Sequence, residues 1–119
     1  MMQAYAEGFE IRAAKEEFGF DLPQIAQTWR HGSVIRSWLL DLAADALAEE
    51  PGLESLQAYV EDSGEGRWTL QAAVETGVPA PVLSSALFER FSSRGEAEFS
   101  GKVLSAMRHA FGGHQEKTK

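Results

Sequence analysis

An arginine and a histidine flank the end of the last predicted helix. The chain closes with SAMRHAFGGHQEKTK, in which an aromatic residue and two glycines separate Arg108 from His114. Gly112 is predicted to cap the helix in the left-handed conformation, and Gly113 to turn the chain back. Arg108 and His114 would then form a site for a phosphate monoester, since a guanidinium fork and an imidazole both donate hydrogen bonds to phosphate. The simpler alternative is a capped helix end, with Arg108 in its last turn facing the helix dipole, followed by a frayed tail.

Other arginines lie at helix ends or beside breaks in the pattern. Arg90 lies in ALFER and, taken alone, is expected to be a solvated helix residue near Glu89. Arg30 and Arg36 flank HGSVI, where their long side chains are expected to cover apolar surface rather than to contact a ligand. Arg67 is expected to be exposed or paired with a carboxylate.

Signatures of a self-contained enzyme are missing from the sequence. There is no GxGxxG, GxxxxGK[ST] or HExxH motif, and no cysteine. The histidines at 31, 109 and 114 have no carboxylate at metal-ligand spacing, so no metal is expected. A self-contained enzyme would therefore be hard to build from the residues present.

Length and charge narrow the class of protein. The 119 residues suit one domain, and a net charge of −7 argues against a nucleic-acid partner. A helix-turn-helix around WRHGSVIRSW is not expected to bind DNA, because the surrounding chain is acidic and Arg30 and Arg36 are too few for a phosphate-contacting face. No signal peptide or membrane span is recognisable, so we expect a cytoplasmic protein with no membrane partner.

Hydrophobic periodicity predicts an all-α fold, a single bundle of about six helices. Apolar residues in α-helical register are expected to form buried faces, and Asp21 and Ser33 are expected to cap helices. The predicted helices cover residues 2–17, 22–29, 34–50, 53–62, 67–77, 80–94 and 96–111. Their predicted buried faces are Met2, Ala6, Phe9 and Ala13; Ile35, Trp38, Leu39, Leu42 and Leu47; and Phe99, Val103, Met107 and Ala110 or Phe111.

Several motifs in the same order resemble one family. IAQTWRHGSVIRSWLL at 25–40, GEGRWTLQAAVETGVPAPVLSSALFERFSSR at 64–94 and RHAFGGH at 108–114 are similar to the helical C-terminal domain of decarboxylating 6-phosphogluconate dehydrogenase, in its shorter bacterial form. The opening MMQAYAEGF resembles the helix that follows the family's catalytic segment. The resemblance therefore covers nearly the whole chain.

The resemblance implies substrate-binding roles for three residues. Arg90 matches the substrate-phosphate arginine of the family's FAR element, and Arg108 and His114 match its RxxFGxH tail, which reaches into the site of a neighbouring subunit. One position departs from the long form: Ser63 stands where that form has a lysine before GTGKW. That contact is not carried over.

The resemblance also implies what this chain lacks. The family oxidises 6-phosphogluconate with NADP or NAD and decarboxylates the product to ribulose 5-phosphate. Its dinucleotide-binding domain, lysine base and glutamate acid would lie upstream of Met1, so the chain is expected to be inactive alone. We expect residues 1–114 to be a substrate-binding and oligomerisation domain, forming a dimer or tetramer, and residues 115–119 a flexible tail. The alternative is a stand-alone helical scaffold that has lost the substrate.

Overall fold

The fold is all-helical. The computed structural model describes residues 1–112 and 117–118, with no side-chain description for Phe111, and these residues contain no strand. This confirms the predicted all-α class, and the described residues contain six α-helices, as expected for a bundle of about six. The six helices are α1 (Met2–Ala14), α2 (Leu22–Gly32), α3 (Trp38–Glu49), α4 (Glu65–Thr76), α5 (Pro81–Ser93) and α6 (Glu98–Gly112), with a short 3-10 turn at Glu16–Phe18.

The chain divides into two compact units, an N-terminal unit of residues 1–57 and a C-terminal unit of residues 58–119. The N-terminal unit contains an apolar core where α2 packs on α3. Ala26, Leu40 and Ala44 are fully buried, and Leu47 is nearly so. Two alanines at this contact let the helices approach closely, since they add little side-chain bulk between the backbones.

Two predicted helix boundaries are confirmed. The Asp21 carboxylate accepts a hydrogen bond from the backbone N–H of Gln24 at 3.1 Å, and Pro23 lies in the first turn of α2. Gly77 ends α4 with φ +68°, the left-handed conformation that favours glycine. Capping chemistry therefore identified these two ends correctly.

The predicted start of α3 was wrong. Ser33 does not cap this helix; it ends α2, and its hydroxyl donates to the Trp29 carbonyl at 2.7 Å. The cap is Ser37, whose Oγ accepts from the Leu40 N–H at 3.0 Å. The Tyr5 hydroxyl lies 3.1 Å from the same Oγ, so α1 fixes the position of this cap.

The predicted buried face of α3 was also largely wrong. Leu47 is buried as expected and Leu39 is half-buried, but Leu40 and Ala44 form the rest of the core face. Trp38 is 79% exposed. Ile35 and Leu42 are also exposed. Because α3 begins later than predicted, Ile35 lies outside the helix. The face of α3 that packs on α2 also differs from the face that carries its largest side chains.

The helix predicted over residues 53–62 does not form. Leu53 adopts a positive φ of 51°, and the Glu50 carboxylate accepts hydrogen bonds from both the backbone N–H and the hydroxyl of Ser55. A turn therefore follows α3. A side-chain acceptor that captures a backbone donor competes directly with helix formation.

The C-terminal unit buries less apolar surface than predicted. α4 packs on α5, and Leu87 is its buried hydrophobic side chain among the described residues. The α6 residues predicted to form a core face are instead exposed within the chain: Phe99, Val103 and Met107, with Ala110. α6 also continues through Gly112, so Gly112 is its last helical residue rather than a cap, and Arg108 precedes the last turn.

The face predicted for α1 lines an open groove. This cavity of about 650 Å³ is bordered on one side by α3 and on the other by Met2, Ala6, Phe9 and Ala13. Phe9 is half-buried, and its ring lies 5.0 Å from that of Trp29 on α2. The periodicity thus identified a real face, which stays open within the N-terminal unit.

Candidate anion-binding site

Two of the three predicted site residues, both in the C-terminal unit, are described by the structure. Arg90 is in the last turn of α5, and Arg108 is an exposed residue of α6. His114, like the predicted turn at Gly113, lies outside the described residues. The site formed by Arg90, Arg108 and His114 together therefore stays a prediction.

Arg90 is held more firmly than its position in ALFER suggested. Its side chain is half-buried, and Nη1 donates to the backbone carbonyl of Glu61 at 2.6 Å. Glu61 belongs to residues 60–62, which lie outside regular secondary structure and which we call the 60–62 segment. The expectation of a solvated residue near Glu89 was wrong, because this segment covers the end of α5.

Ser93 connects the 60–62 segment to α5. Its Oγ accepts from the backbone N–H of Val60 at 3.0 Å and donates to the carbonyl of Arg90 at 2.7 Å. One hydroxyl thus satisfies a donor in the segment and an acceptor in the last turn of the helix, where carbonyls lack helical partners.

Asp62 forms the ionic centre of the site. Its carboxylate accepts two hydrogen bonds from Arg67 of α4, from Nε at 2.6 Å and from Nη2 at 3.3 Å. Nη1 of Arg94, the residue that ends α5, lies 3.2 Å away. The side chain of Asp62 is only 9% exposed. These contacts confirm the prediction of a carboxylate partner for Arg67.

The two arginines also share an aromatic surface. The guanidinium carbons of Arg67 and Arg94 lie 4.5 and 5.0 Å from the ring centroid of Phe91. Arg94 Nε is buried and has no hydrogen-bond partner among the described residues. The contacts that hold the Arg94 side chain are thus the Phe91 ring and the Asp62 carboxylate.

The hydrogen bonds from Arg67 lower the pKa of Asp62 by more than burial raises it, and the charges of Arg67 and Arg94 lower the pKa further. The same pairing raises the pKa of Arg67. Asp62 therefore stays ionised at neutral pH, and both guanidiniums lie against its single negative charge.

Ser63 occupies the position at which the long form has a lysine. Its hydroxyl donates to the Glu65 carboxylate, and this hydrogen bond lowers the pKa of Glu65. Ser63 is thus part of the approach to α4 and carries no positive charge toward an anion.

Sequence reasoning missed Asp62, Ser93 and Arg94. One signal was available: Arg94 follows Arg90 by four residues, the spacing that places two side chains on one face of a helix. Asp62 could not be found this way, because residues 53–62 were predicted to be helical. Its contacts depend on an irregular segment.

In the N-terminal unit, Arg30 is paired with carboxylates and Arg36 is exposed. Arg30 donates to Asp41 at 2.9 Å and to Asp45 at 3.2 Å. These contacts leave the guanidinium engaged with α3 carboxylates rather than directed toward DNA phosphates.

Within the described ranges, no helix has the length and apolar character needed to cross a membrane, and no group of three or more metal-ligating side chains is found.

These features define an all-helical domain in which Arg67 of α4 and Arg94 at the end of α5 share the Asp62 carboxylate, close in sequence to Arg90. A match to family models makes the class specific: the whole chain, residues 1–119, fits the model of the 6-phosphogluconate dehydrogenase C-terminal domain. The chain belongs to this family.

Named relatives agree with that membership. The chain is 42% identical over 120 residues to the NAD(+)-dependent, decarboxylating 6-phosphogluconate dehydrogenase of Haloferax volcanii. It is 40% identical over 119 residues to YqeC of Bacillus subtilis, which carries a provisional name as a 6-phosphogluconate dehydrogenase. Each alignment covers 100% of this chain but only 40% of the relative's length.

A relative that uses the other nicotinamide cofactor is similar as well. The NADP(+)-dependent, decarboxylating enzyme of Bacillus subtilis is 35% identical over 121 residues, which cover 93% of this chain and 26% of that enzyme. Similarity in this domain therefore does not separate NAD-dependent from NADP-dependent relatives.

Proposed function

We propose that this chain is the substrate-binding and oligomerisation domain of an NAD- or NADP-dependent decarboxylating 6-phosphogluconate dehydrogenase. The enzyme would oxidise 6-phosphogluconate and release carbon dioxide to give ribulose 5-phosphate. The observation that carries the proposal is the family match over residues 1–119, with 40–42% identity to two named relatives.

The proposed role of the chain is to bind the phosphate end of the substrate. A phosphate monoester carries between one and two negative charges near neutral pH, and a guanidinium can meet two of its oxygens at once. We assign this role to Arg90, Arg108 and His114. The half-buried position of Arg90 supports the assignment, because a restrained guanidinium loses less conformational entropy when it binds an anion.

Binding of a remote phosphate would serve the chemistry at the other end of the sugar acid. Binding energy from a non-reacting group can orient the reacting carbon, which lowers the entropic part of the barrier. Loss of one phosphate contact should therefore weaken substrate binding and orientation without removing a proton-transfer group.

The described residues do not fit a dinucleotide site. A dinucleotide pyrophosphate is typically held at a glycine-rich turn between a strand and a helix, and residues 1–112 and 117–118 contain no strand. We therefore assign cofactor binding and the general base and acid to a part of the enzyme beyond this chain, and propose that this chain alone is inactive.

A ligand titration tests the phosphate role. We expect 6-phosphogluconate to raise the melting temperature of the chain, with stabilisation approaching about 2.7 kcal/mol at one hundred times Kd. The double variant Arg108→Ala with His114→Ala should abolish the rise, and the control Arg36→Ala, at an exposed arginine of the N-terminal unit, should keep it. Equal stabilisation of all three proteins would contradict the assignment, and no stabilisation of the wild type would favour the scaffold alternative.

A turnover assay tests the proposed inactivity. The purified chain should show no reduction of NADP or NAD that depends on 6-phosphogluconate. Measurable turnover would mean that the catalytic groups lie within the 119 residues, contrary to the proposal.

The exposed face of α6 supports the proposed oligomerisation. Phe99, Leu104 and Met107 are more than half exposed, an unusual apolar surface for one helix of a monomer. We expect sedimentation velocity to give a dimer or tetramer, and Leu104→Asp to lower the molar mass. The control Val34→Asp, at an apolar residue that is 98% exposed in the N-terminal unit, should leave the mass unchanged. A monomeric wild type would refute the proposed self-association.

A further inference from the structure

We propose that Asp62 is a positioning residue for Arg90: through its ion pairs with Arg67 and Arg94 it fixes the 60–62 segment, and the Glu61 carbonyl in that segment orients the Arg90 guanidinium. The inference rests on the proposed function of Arg90 in phosphate binding. It assigns a purpose to a carboxylate that an anion site would otherwise be expected to avoid.

The first step concerns the contact that orients Arg90. Its Nη1 donates to a backbone carbonyl, that of Glu61, at 2.6 Å. A carbonyl position is set by the path of the chain, so the orientation of this guanidinium depends on where the 60–62 segment lies. Substitution of the Glu61 side chain would leave this contact in place.

The second step concerns the segment itself. Residues 59–63 lie outside any helix, so the regular backbone hydrogen bonds of a helix do not fix their path. Their position must come from contacts with neighbouring elements, since an irregular segment without such contacts samples many conformations. Two contacts with α5 and its end meet this need, together with one to α4.

The third step identifies Asp62 as the strongest of these contacts. It joins the segment to Arg67 of α4 at 2.6 Å and to Arg94 at the end of α5 at 3.2 Å. Charge-assisted pairs of this kind are stronger than neutral hydrogen bonds, and the shallow exposure of Asp62, 9%, limits competition from water. The neutral contact is the Val60 N–H to Ser93 Oγ bond at 3.0 Å.

A positioning role and a simple charge effect predict opposite results for Asp62→Asn. Asparagine keeps the shape but removes one negative charge close to a proposed anion site. If charge alone mattered, phosphate binding would become tighter, because the local potential becomes more positive. If Asp62 positions Arg90, binding becomes weaker in spite of the lost negative charge.

The test begins without any ligand. In the full 119-residue chain labelled with ¹⁵N-arginine, the Nε–Hε signal of Arg90, assigned with Arg90→Lys, reports the mobility of its side chain through the heteronuclear NOE. We expect a restrained signal in the wild type and a mobile one in Asp62→Asn. The control Glu89→Gln removes an exposed carboxylate next to Arg90 in sequence and should leave the signal restrained. An unchanged Arg90 signal in Asp62→Asn would overturn the proposal.

The second arm titrates inorganic phosphate and 6-phosphogluconate. We expect Kd for both to rise about three- to tenfold in Asp62→Asn, as for loss of one well-oriented hydrogen bond, and to change less than about twofold in Glu89→Gln. Tighter binding by Asp62→Asn would overturn the positioning role. Absence of binding by the wild type would refute the proposed function of this chain, whereas the ligand-free comparison would still decide the role of Asp62.

A second variant keeps the test decisive if Asp62→Asn fails to fold. Ser93→Ala removes the neutral contact with Val60 and changes no charge. We expect a partial increase in Arg90 mobility and a smaller rise in Kd. Full loss of restraint at Arg90 in Ser93→Ala, with the Asp62 ion pairs intact, would show that Asp62 does not fix the 60–62 segment and would overturn the proposal.

Discussion

The two units of the chain are stabilised in different ways. The N-terminal unit has an apolar core of Ala26, Leu40, Ala44 and Leu47 between two helices. The C-terminal unit buries Leu87 among its described hydrophobic residues and pairs Asp62 with Arg67 and Arg94; a further ion pair joins Lys102 to Glu98 within α6. Apolar burial therefore dominates in the first unit, and a polar network fixes the irregular segment in the second.

This difference matters for function, because the proposed phosphate ligands belong to the polar unit. An apolar core tolerates no charge without a partner, whereas a network of matched arginines and carboxylates can hold a guanidinium near a surface. The N-terminal unit fits the role of a scaffold. The C-terminal unit, with Arg90, Arg108 and an exposed α6 face, fits the role of a binding surface.

The largest effect that would distinguish the units is expected at Leu40. Leu40→Ala removes a side chain with no solvent exposure and should lower the free energy of unfolding by about 2–5 kcal/mol. Urea unfolding followed by circular dichroism measures the loss, and hydrogen exchange should localise it to α2 and α3. The control Leu42→Ala, at a half-exposed leucine of the same helix, should cost less than about 1 kcal/mol. Equal costs for the two variants would contradict the assigned core.

A medium effect is expected at the cap of α3. Ser37→Ala removes the acceptor for the Leu40 N–H and the contact with the Tyr5 hydroxyl, so the free energy of unfolding should fall by about 1–2 kcal/mol. Ser84→Ala in the C-terminal unit, whose hydroxyl donates to the Ala80 carbonyl within α5, should cost less than about 0.5 kcal/mol. Chemical denaturation of both variants measures the two losses of stability. A larger loss in Ser84→Ala than in Ser37→Ala would contradict the prediction.

A smaller, pH-dependent effect is expected at Asp62. Its pKa is lowered in the folded chain, first by the hydrogen bonds from Arg67, so its ionised form stabilises the fold. This stabilisation is complete above the unfolded pKa, near about 3.9, and is lost as the pH falls through the folded pKa. At neutral pH the wild type should therefore have a higher melting temperature than Asp62→Asn. Thermal melts at decreasing pH should show that this difference in melting temperature becomes smaller in acid.

Glu50 in the N-terminal unit gives the matched comparison for this pH effect. Hydrogen bonds from Ser55 lower its pKa, whereas arginine contacts lower that of Asp62. Added salt should reduce the difference between wild type and Asp62→Asn more than that between wild type and Glu50→Gln, because salt screens ion pairs. Equal salt dependence would show that charge does not distinguish the two units.

Local chemistry predicted much of the fold. Helical periodicity gave the all-α class, and Asp21 and Gly77 marked helix ends through side-chain capping and the left-handed conformation. The errors arose where two local signals competed or where tertiary contacts decided. Ser33 and Ser37 are equally good caps by residue type, and the contact between Tyr5 and Ser37 is not visible in the sequence.

The candidate site was less predictable than the fold. Residue type and spacing suggested Arg108 with His114 as a phosphate site, whereas the role of Arg90 was implied only by the resemblance. The contacts that hold Arg90 depend on residues 60–62, whose helical pattern gave the wrong structure. Long-range contacts of an irregular segment leave no periodic signal, so Asp62 and Ser93 could be found only in three dimensions.

The smallest effect on the free energy of unfolding is expected at Trp38, a large side chain that is mostly exposed. Trp38 is the largest side chain at the start of α3, yet it is 79% exposed, while the smaller Leu40 is fully buried. Trp38→Ala should therefore change the free energy of unfolding by less than about 0.5 kcal/mol in urea denaturation. A loss comparable to that of Leu40→Ala would mean that the predicted face of α3, rather than the observed one, packs in the N-terminal unit. Such a result would also remove the contrast between its apolar core and the polar network around Asp62.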